Sequence, residues 1–335
     1  MSAASSPAAD PRPLALTIGD AAGIGPELVL QAWLRRMPGQ RPFFALADPD
    51  HLTRLAQRLG WQVPIATIAI AQANASFANA LPVVPLQHKF DDEASSANTP
   101  GTLESMQRAV EYVYAGQAAA IVTCPIAKDR MYQAGFQFPG HTEFLGAQAS
   151  QLWKRPVLPV MMLWAPELAV VPVTVHVPLA RVPDLLTTTL IIETTQIVID
   201  DLRQRFGIQA PRIAVAGLNP HAGENATIGT EDRDIIAPAI RALQAAGHNV
   251  IGPMPADTMF HAAARKKYDA AICMYHDQAL IPIKTLAFDH GVNTTLGLPF
   301  VRTSPDHGTA FDIAGRGIAK PDSLLAALAL AARLA

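Results

Sequence analysis

Five times along this chain, a continuous run of small and branched apolar residues stops at a polar cluster bearing Gly or His. The runs are LALTI (14–18), AAAIVT (118–123), LAVVPVTV (168–175), RIAVAG (212–217) and DAAICM (269–274). They do not alternate with polar residues, so they suit strands buried on both faces. The segments 102–115, 179–206, 231–247 and 256–267 read as helical, and SLLAALALAARLA at 323–335 reads as a packing helix. Strand alternating with helix predicts an α/β fold with a mostly parallel sheet. In open sheets of that kind, ligands bind outside the carboxyl ends of the strands. The polar clusters are therefore where chemistry is expected.

Length and composition narrow the choice. A chain of 335 residues, half of them hydrophobic, can build one large or two medium domains. A net charge of −2, without any Lys/Arg-rich run, argues against nucleic acid or an acidic membrane as partner. The stretch PVLPVMMLWAPELAVVPVTVHVPL (156–179) carries several prolines, Glu167 and His176. It reads as two buried strands joined by a turn at Ala165-Pro166-Glu167, not as a membrane span. MSAASSPAADPRP (1–13) has neither a basic start nor an apolar core, so it is expected to be a flexible tail on a cytoplasmic protein. Cys124 and Cys273 read as reduced core thiols, and HKFDDEASSANTPG (88–101) reads as a loop.

Two groups of residues carry possible chemistry. His176, His221 and His276 each follow a predicted strand. Three imidazoles meeting at one sheet edge would form an open metal site, although no local motif such as HExxH links them. Unrelated loop histidines are the alternative. Asp277 stands ready to orient a ligand or move a proton. MYHDQALIPIK (274–284) reads as a strand exit into a loop, with ALIPI as a spacer between His276 and Lys284. The second group is cationic: Lys284, Arg302 and His141, with Thr142 and Asn293. Arg and Lys near the Ser/Thr-bearing VRTSPDHGT (301–309) suit a phosphate or carboxylate. GDAAGIGPEL (19–28) can turn helix-start N–H groups toward an anion. It lacks the third glycine of G-x-G-x-x-G, and no Rossmann fingerprint occurs elsewhere. On the residues alone the chain reads as an α/β enzyme with an anionic substrate and a candidate metal site, and hydride transfer does not follow.

A wider pattern emerges when eight strings are taken together: TIGDAAGIGPEL, AAIVTCPIAK, PGHTEFLG, VTVHVPL, GLNPHAGE, PADTMF, MYHDQALIPIK and GVNTTLGLPFVRTSPDHGTAFDIAGRGIA. In this order, from about residue 14 to residue 320, they resemble the 4-hydroxythreonine-4-phosphate dehydrogenases of pyridoxal phosphate (vitamin B6) biosynthesis. Ala21 and Ala127 depart from the Pro and Asn usual in that family. The resemblance implies a fold like the isocitrate and isopropylmalate dehydrogenases: two α/β/α domains with mostly parallel sheets and an interdomain cleft. The first would comprise 14–145 plus 300–335, and the second, 146–299, would carry a homodimer interface with a shared active site.

It implies further that His176, His221 and His276 hold a divalent metal (Zn, Mg or Co) across the dimer, and that His141, Thr142, Lys284, Asn293 and Arg302 bind substrate. Asp277 and Asp257 would be proton acceptors or partners of the metal ligands, with Lys284 also at the reacting centre. DHGTAFDIAGRGIAKP (306–321) is similar to the adenosine-receiving loop of those dehydrogenases. NAD, or NADP, would meet His307, Gly308, Thr309 and Asp312 there. The implied reaction oxidises 4-phosphooxy-L-threonine to 2-amino-3-oxo-4-phosphooxybutanoate, which loses CO₂ to give 3-amino-2-oxopropyl phosphate. Related enzymes acting on 4-phospho-D-threonate or 4-phospho-D-erythronate share the three-histidine pattern. A phosphate acyltransferase of similar fold would need neither these histidines nor the adenosine loop.

Overall fold

The computed structural model describes residues 10–91 and 96–335. The chain forms two compact units, one running to Lys154 and resuming at Phe300, the other comprising Arg155–Pro299. Strands are labelled β1–β12 in chain order.

In the first unit lie β1 (Leu14–Thr17), β2 (Phe43–Ala47), β3 (Ile65–Thr67), β4 (Leu81–Pro85), β5 (Ala120–Thr123) and β12 (Val301–Pro305). Their order is β3-β4-β2-β1-β5-β12, and every neighbouring pair is parallel. β1, β2, β5 and β12 are buried at every residue, as continuous apolar runs predict for strands covered on both faces. The Gly25–Leu34 helix starts close against β1, with Pro26 in its first turn. A Cβ on Gly25 would lie 2.3 Å from the Ile18 carbonyl, so only glycine permits this approach. The Thr99–Tyr114 helix is tied in through Ser105, whose hydroxyl donates to Leu46 O and accepts from Ile18 N. The expected closing helix forms at Asp322–Leu334, where the Ala327 carbonyl accepts from Thr303 Oγ1. Residues 1–9 of the expected tail lie outside the described residues. Residues 10–13 are tethered: Asp10 pairs with Arg12 and Arg41, and the Pro13 carbonyl accepts from Ala119 N.

The second unit holds β6 (Val160–Ala165), β7 (Leu168–Thr174), β8 (Arg212–Ala216), β9 (Asn249–Met254), β10 (Ala270–Tyr275) and β11 (Val292–Leu296). Their order is β11-β6-β7-β10-β8-β9. β6 and β7 form the expected hairpin, and β6 also pairs antiparallel with β11, while the remaining pairs are parallel. Both cysteines are free and buried. Among the described residues no single helix is long and apolar enough to cross a membrane.

Four local expectations give way. The expected loop 88–101 ends early, in a 3-10 turn at Ser96–Asn98 and the start of the Thr99–Tyr114 helix, with Pro100 in its first turn, and its residues 92–95 lie outside the described residues. The span 274–284 is not a loop exit: His276–Ala287 is a helix with Pro282 inside it. Proline removes one main-chain bond there, but the buried face of Gln278, Ala279, Leu280, Ile283 and Ala287 compensates by packing. The Gln278 side chain also ties the first turn, accepting from Met274 N and donating to Gly217 O. The span 256–267 is mostly turn, with one short helix at Ala262–Arg265, because Pro255 O closes a turn with the amide and hydroxyl of Thr258. The span 179–206 breaks at Leu186, which is extended. Thr187 then caps the Thr188–Gln204 helix by accepting from Leu190 N.

Candidate active site

In the first unit, Arg302 of β12 is 3% exposed. Its Nη2 donates to the hydroxyl of Thr123, the last residue of β5, at 2.7 Å. Burial pulls the guanidinium pKa down to about 10 against the opposing pull of Glu143, so it remains charged at neutral pH. His141 is the first residue of the His141–Trp153 helix, and its Nε2 is buried without a hydrogen-bond partner. Burial first, then the charges of Arg302 and Lys128, hold its pKa well below 6.5 and keep the ring neutral. A fixed guanidinium, a neutral imidazole, a nearby Lys and the N–H groups of a helix start together suit a small anion. Thr142 is the next residue of that helix and is half-buried.

The loop after β12 carries the expected dinucleotide residues. His307 Nε2 is buried without a partner, while Nδ1 lies 3.1 Å from the Gly308 carbonyl. Thr309 is half-buried, and Gly308 and Asp312 are exposed. A Cβ on Gly308 would meet nothing within 4 Å, so the loop is open at that point.

In the second unit, the order β7-β10-β8-β9 sets the ends of four parallel strands in a row. His176 follows β7, His276 follows β10, His221 follows β8 and Asp257 follows β9. The rings of His176 and His276 stand 5.6 Å apart between centroids, inclined at 42°. Asp277 Oδ1 lies 2.7 Å from His276 Nδ1. A carboxylate only accepts, so Nδ1 carries the proton and the Nε2 lone pair is left for a ligand. Among the described residues no three His, Cys, Asp or Glu side chains gather closely enough to hold a metal ion. The structure thus brings two of the expected imidazoles together, and among the described residues no third ligand joins them within one chain.

His221 has unusual surroundings of its own. Residues 221–226 all have φ between 39° and 76°, a left-handed run in which Gly223 is the one glycine. His176 is left-handed too, with φ 52°. L-residues avoid this region, and such strain points to a functional position. Asp232, 2% exposed, sets the entry to the run by accepting from Leu218 N, Asn219 N and Asn219 Nδ2. Lys284 lies two turns beyond His276 on the same helix. Together with Asp277, Leu280, Ile281 and Thr285 they line a hollow of about 460 Å³. Asn293, on β11, keeps a buried Oδ1 with no hydrogen-bond partner, whereas Asp257 is exposed.

Thr123, Lys128 and Asp232 escaped the reading of the sequence. Thr123 and Lys128 belong to the cluster ending an apolar run, and that position was the available signal. Nothing local marks Asp232, whose partners lie 13 and 14 residues away.

The profile of the family described as "Pyridoxal phosphate biosynthetic protein PdxA" matches residues 39–331. A 4-hydroxythreonine-4-phosphate dehydrogenase from Methylorubrum populi is 59% identical over 334 residues, covering 98% of this chain and 96% of that protein. The enzyme of the same name from Bradyrhizobium diazoefficiens is 53% identical, with 97% of each chain covered. Among solved structures, a 4-hydroxythreonine-4-phosphate dehydrogenase from Burkholderia phymatum superposes with a TM-score of 0.82 at 36% identity, covering 96% of this chain and 98% of that one. Extent and identity agree with the two groups of residues at the strand ends, and the chain belongs to the pyridoxal phosphate biosynthetic protein PdxA family.

Proposed function

We propose that this protein is an NAD-dependent dehydrogenase of 4-phosphooxy-L-threonine in vitamin B6 biosynthesis. The secondary hydroxyl is oxidised, hydride passes to NAD and a proton is released. The product, 2-amino-3-oxo-4-phosphooxybutanoate, is a β-keto acid that loses CO₂ to give 3-amino-2-oxopropyl phosphate. The observation that carries this reading is the imidazole pair of His176 and His276, with Asp277 fixing the ring of His276. Its relatives' names supply the substrate.

His176 and His276 fit two positions of a divalent-metal site, since neutral imidazoles with one nitrogen directed by a carboxylate are ordinary metal ligands. His221 would supply the third, from the second protomer of a homodimer in which each chain completes the other's site; the absence of a third ligand beside the pair among the described residues supports this reading. Exposed Leu179, Ile281 and Phe288, at 67%, 65% and 77%, are apolar surface that a second protomer would cover. When bound, a divalent ion supplies a Lewis acid that lowers the pKa of a hydroxyl and stabilises developing negative charge.

The chain's own groups do the rest. Arg302, held by Thr123, presents a fixed positive charge to the phosphate or carboxylate of the substrate. His141, Thr142, Lys284 and Asn293 complete the polar contacts, and the unpartnered Nε2 of His141 and Oδ1 of Asn293 are atoms that a ligand would satisfy. Asp277 acts through His276 as an orienting group, and Asp257 is the remaining candidate proton acceptor. His307, Gly308, Thr309 and Asp312 receive the adenosine part of the dinucleotide.

The test follows NADH absorbance with 4-phosphooxy-L-threonine and, separately, 4-phospho-D-threonate, before and after chelation. Turnover of the first substrate that disappears with the metal and returns on readdition is expected. Turnover of the second substrate alone overturns the vitamin B6 assignment, and indifference to thorough chelation overturns the histidine site.

A further inference from the structure

We propose that Glu27 and Gln31 are positioning residues that hold the loop 306–320 in its dinucleotide-receiving shape before any dinucleotide arrives. This rests on the assignment of that loop to NAD. Glu27 lies on the Gly25–Leu34 helix and is 0% exposed. Its Oε2 accepts from Gly315 N at 2.9 Å, and its Oε1 accepts from Ala319 N at 3.2 Å. One turn on, Gln31 Nε2 donates to Ala319 O at 2.8 Å. At the start of the same helix, Ile24 N donates to Thr309 O at 2.9 Å. A Cβ on Gly23 would come within 2.9 Å of that carbonyl, so the close approach requires glycine. Arg130 pairs with Asp20 and lies 4.1 Å from the centre of the Phe311 ring.

The loop has no regular structure to hold it, and it passes through left-handed conformations at Ala310, Gly315 and Gly317. Its main chain is instead fastened along one side to the Gly25–Leu34 helix. Gly308 and Asp312 lie exposed. A fully buried carboxylate is unfavourable unless its oxygens are satisfied, and here both accept main-chain N–H groups of the loop. Ordering a free loop on binding would weaken affinity, and a loop already fastened avoids that loss.

The test uses the full-length dimer and two isosteric or near-isosteric variants, Glu27→Gln and Gln31→Leu, with Asp312→Ala as a probe of the loop itself. NADH affinity is measured by fluorescence titration, substrate affinity by calorimetry and loop order by hydrogen exchange of residues 306–320. Glu27→Gln keeps one acceptor and sets an N–H₂ against the other main-chain N–H. It should weaken NADH binding about tenfold and speed exchange at Gly315 and Ala319, with 4-phosphooxy-L-threonine affinity unchanged. Gln31→Leu should act in the same direction by about threefold. NADH binding unchanged in Glu27→Gln, while Asp312→Ala weakens it, overturns the positioning role alone. Equal weakening of both ligands means general damage and overturns it as well. If Asp312→Ala and Glu27→Gln both leave NADH binding unchanged, the assignment of the loop to NAD fails and takes the proposal with it.

Discussion

Arg302 and His276 are both set by buried parallel strands, yet residue Arg302 is 3% exposed and the His276 side chain 35%. The first unit buries its ligand-binding groups among fixed partners: Thr123 holds Arg302, and Nε2 of His141 is enclosed without a partner. The second unit presents His176 and His221 on left-handed backbone and His276 at a helix start, beside exposed apolar residues. An anion needs a fixed, enclosed charge to be worth its own desolvation. A metal site shared between protomers needs each chain to leave its ligands accessible until the partner arrives. In the proposed homodimer a partner protomer would complete the second edge, whereas Arg302 already has its Thr123 partner within one chain.

That contrast can be broken at several points. His276→Ala should have the largest effect, lowering kcat/KM by about 10³-fold or more while leaving a folded protein; near-normal turnover would remove the metal role. Arg302→Met should raise KM for the phosphorylated substrate by about 10²-fold without changing metal content. If metal content fell with it, the two edges would not be separable as described. Asp277→Asn keeps a polar group beside His276 but replaces the acceptor-only carboxylate, so metal affinity, read by competition with a chelator, should fall about tenfold.

The smallest expected effect is on stability. Because His141 stays neutral in the folded chain to well below 6.5, the unfolded chain binds the extra proton first as pH falls. The native state is therefore favoured fully above about pH 6.5, and that contribution is lost as pH drops from there toward the depressed pKa. His141→Gln should flatten the change in urea midpoint between about pH 7.5 and about pH 5. An unaltered slope would show that Nε2 is not shielded as the structure has it.

The strand framework was legible because burial on both faces leaves a continuous apolar run, as in β5, β7, β8 and β10. The clusters after the runs led to the two groups of site residues. The His276–Ala287 helix was masked by Pro282, whose lost hydrogen bond is offset by packing that only the tertiary structure reveals. The left-handed run at 221–226 was equally hidden, because Ala222, Glu224 and Ala226 are types that do not favour that conformation. Glu27 lay in view within GIGPEL, but its partners are 288 and 292 residues distant. Side chains that bond distant main chain leave no periodic signal to read.

The first unit is discontinuous in sequence, and this gives the two units different histories during synthesis. Residues 155–299 emerge as one stretch and can pack before Phe300 is made. The first unit must wait for residues 300–335, which bring β12, the closing helix, Arg302 and the partners of Glu27. Until then β5 lacks its β12 neighbour and is an open sheet edge able to pair with other chains. The segment that finishes the anion site is thus also the one that seals the nascent chain against aggregation.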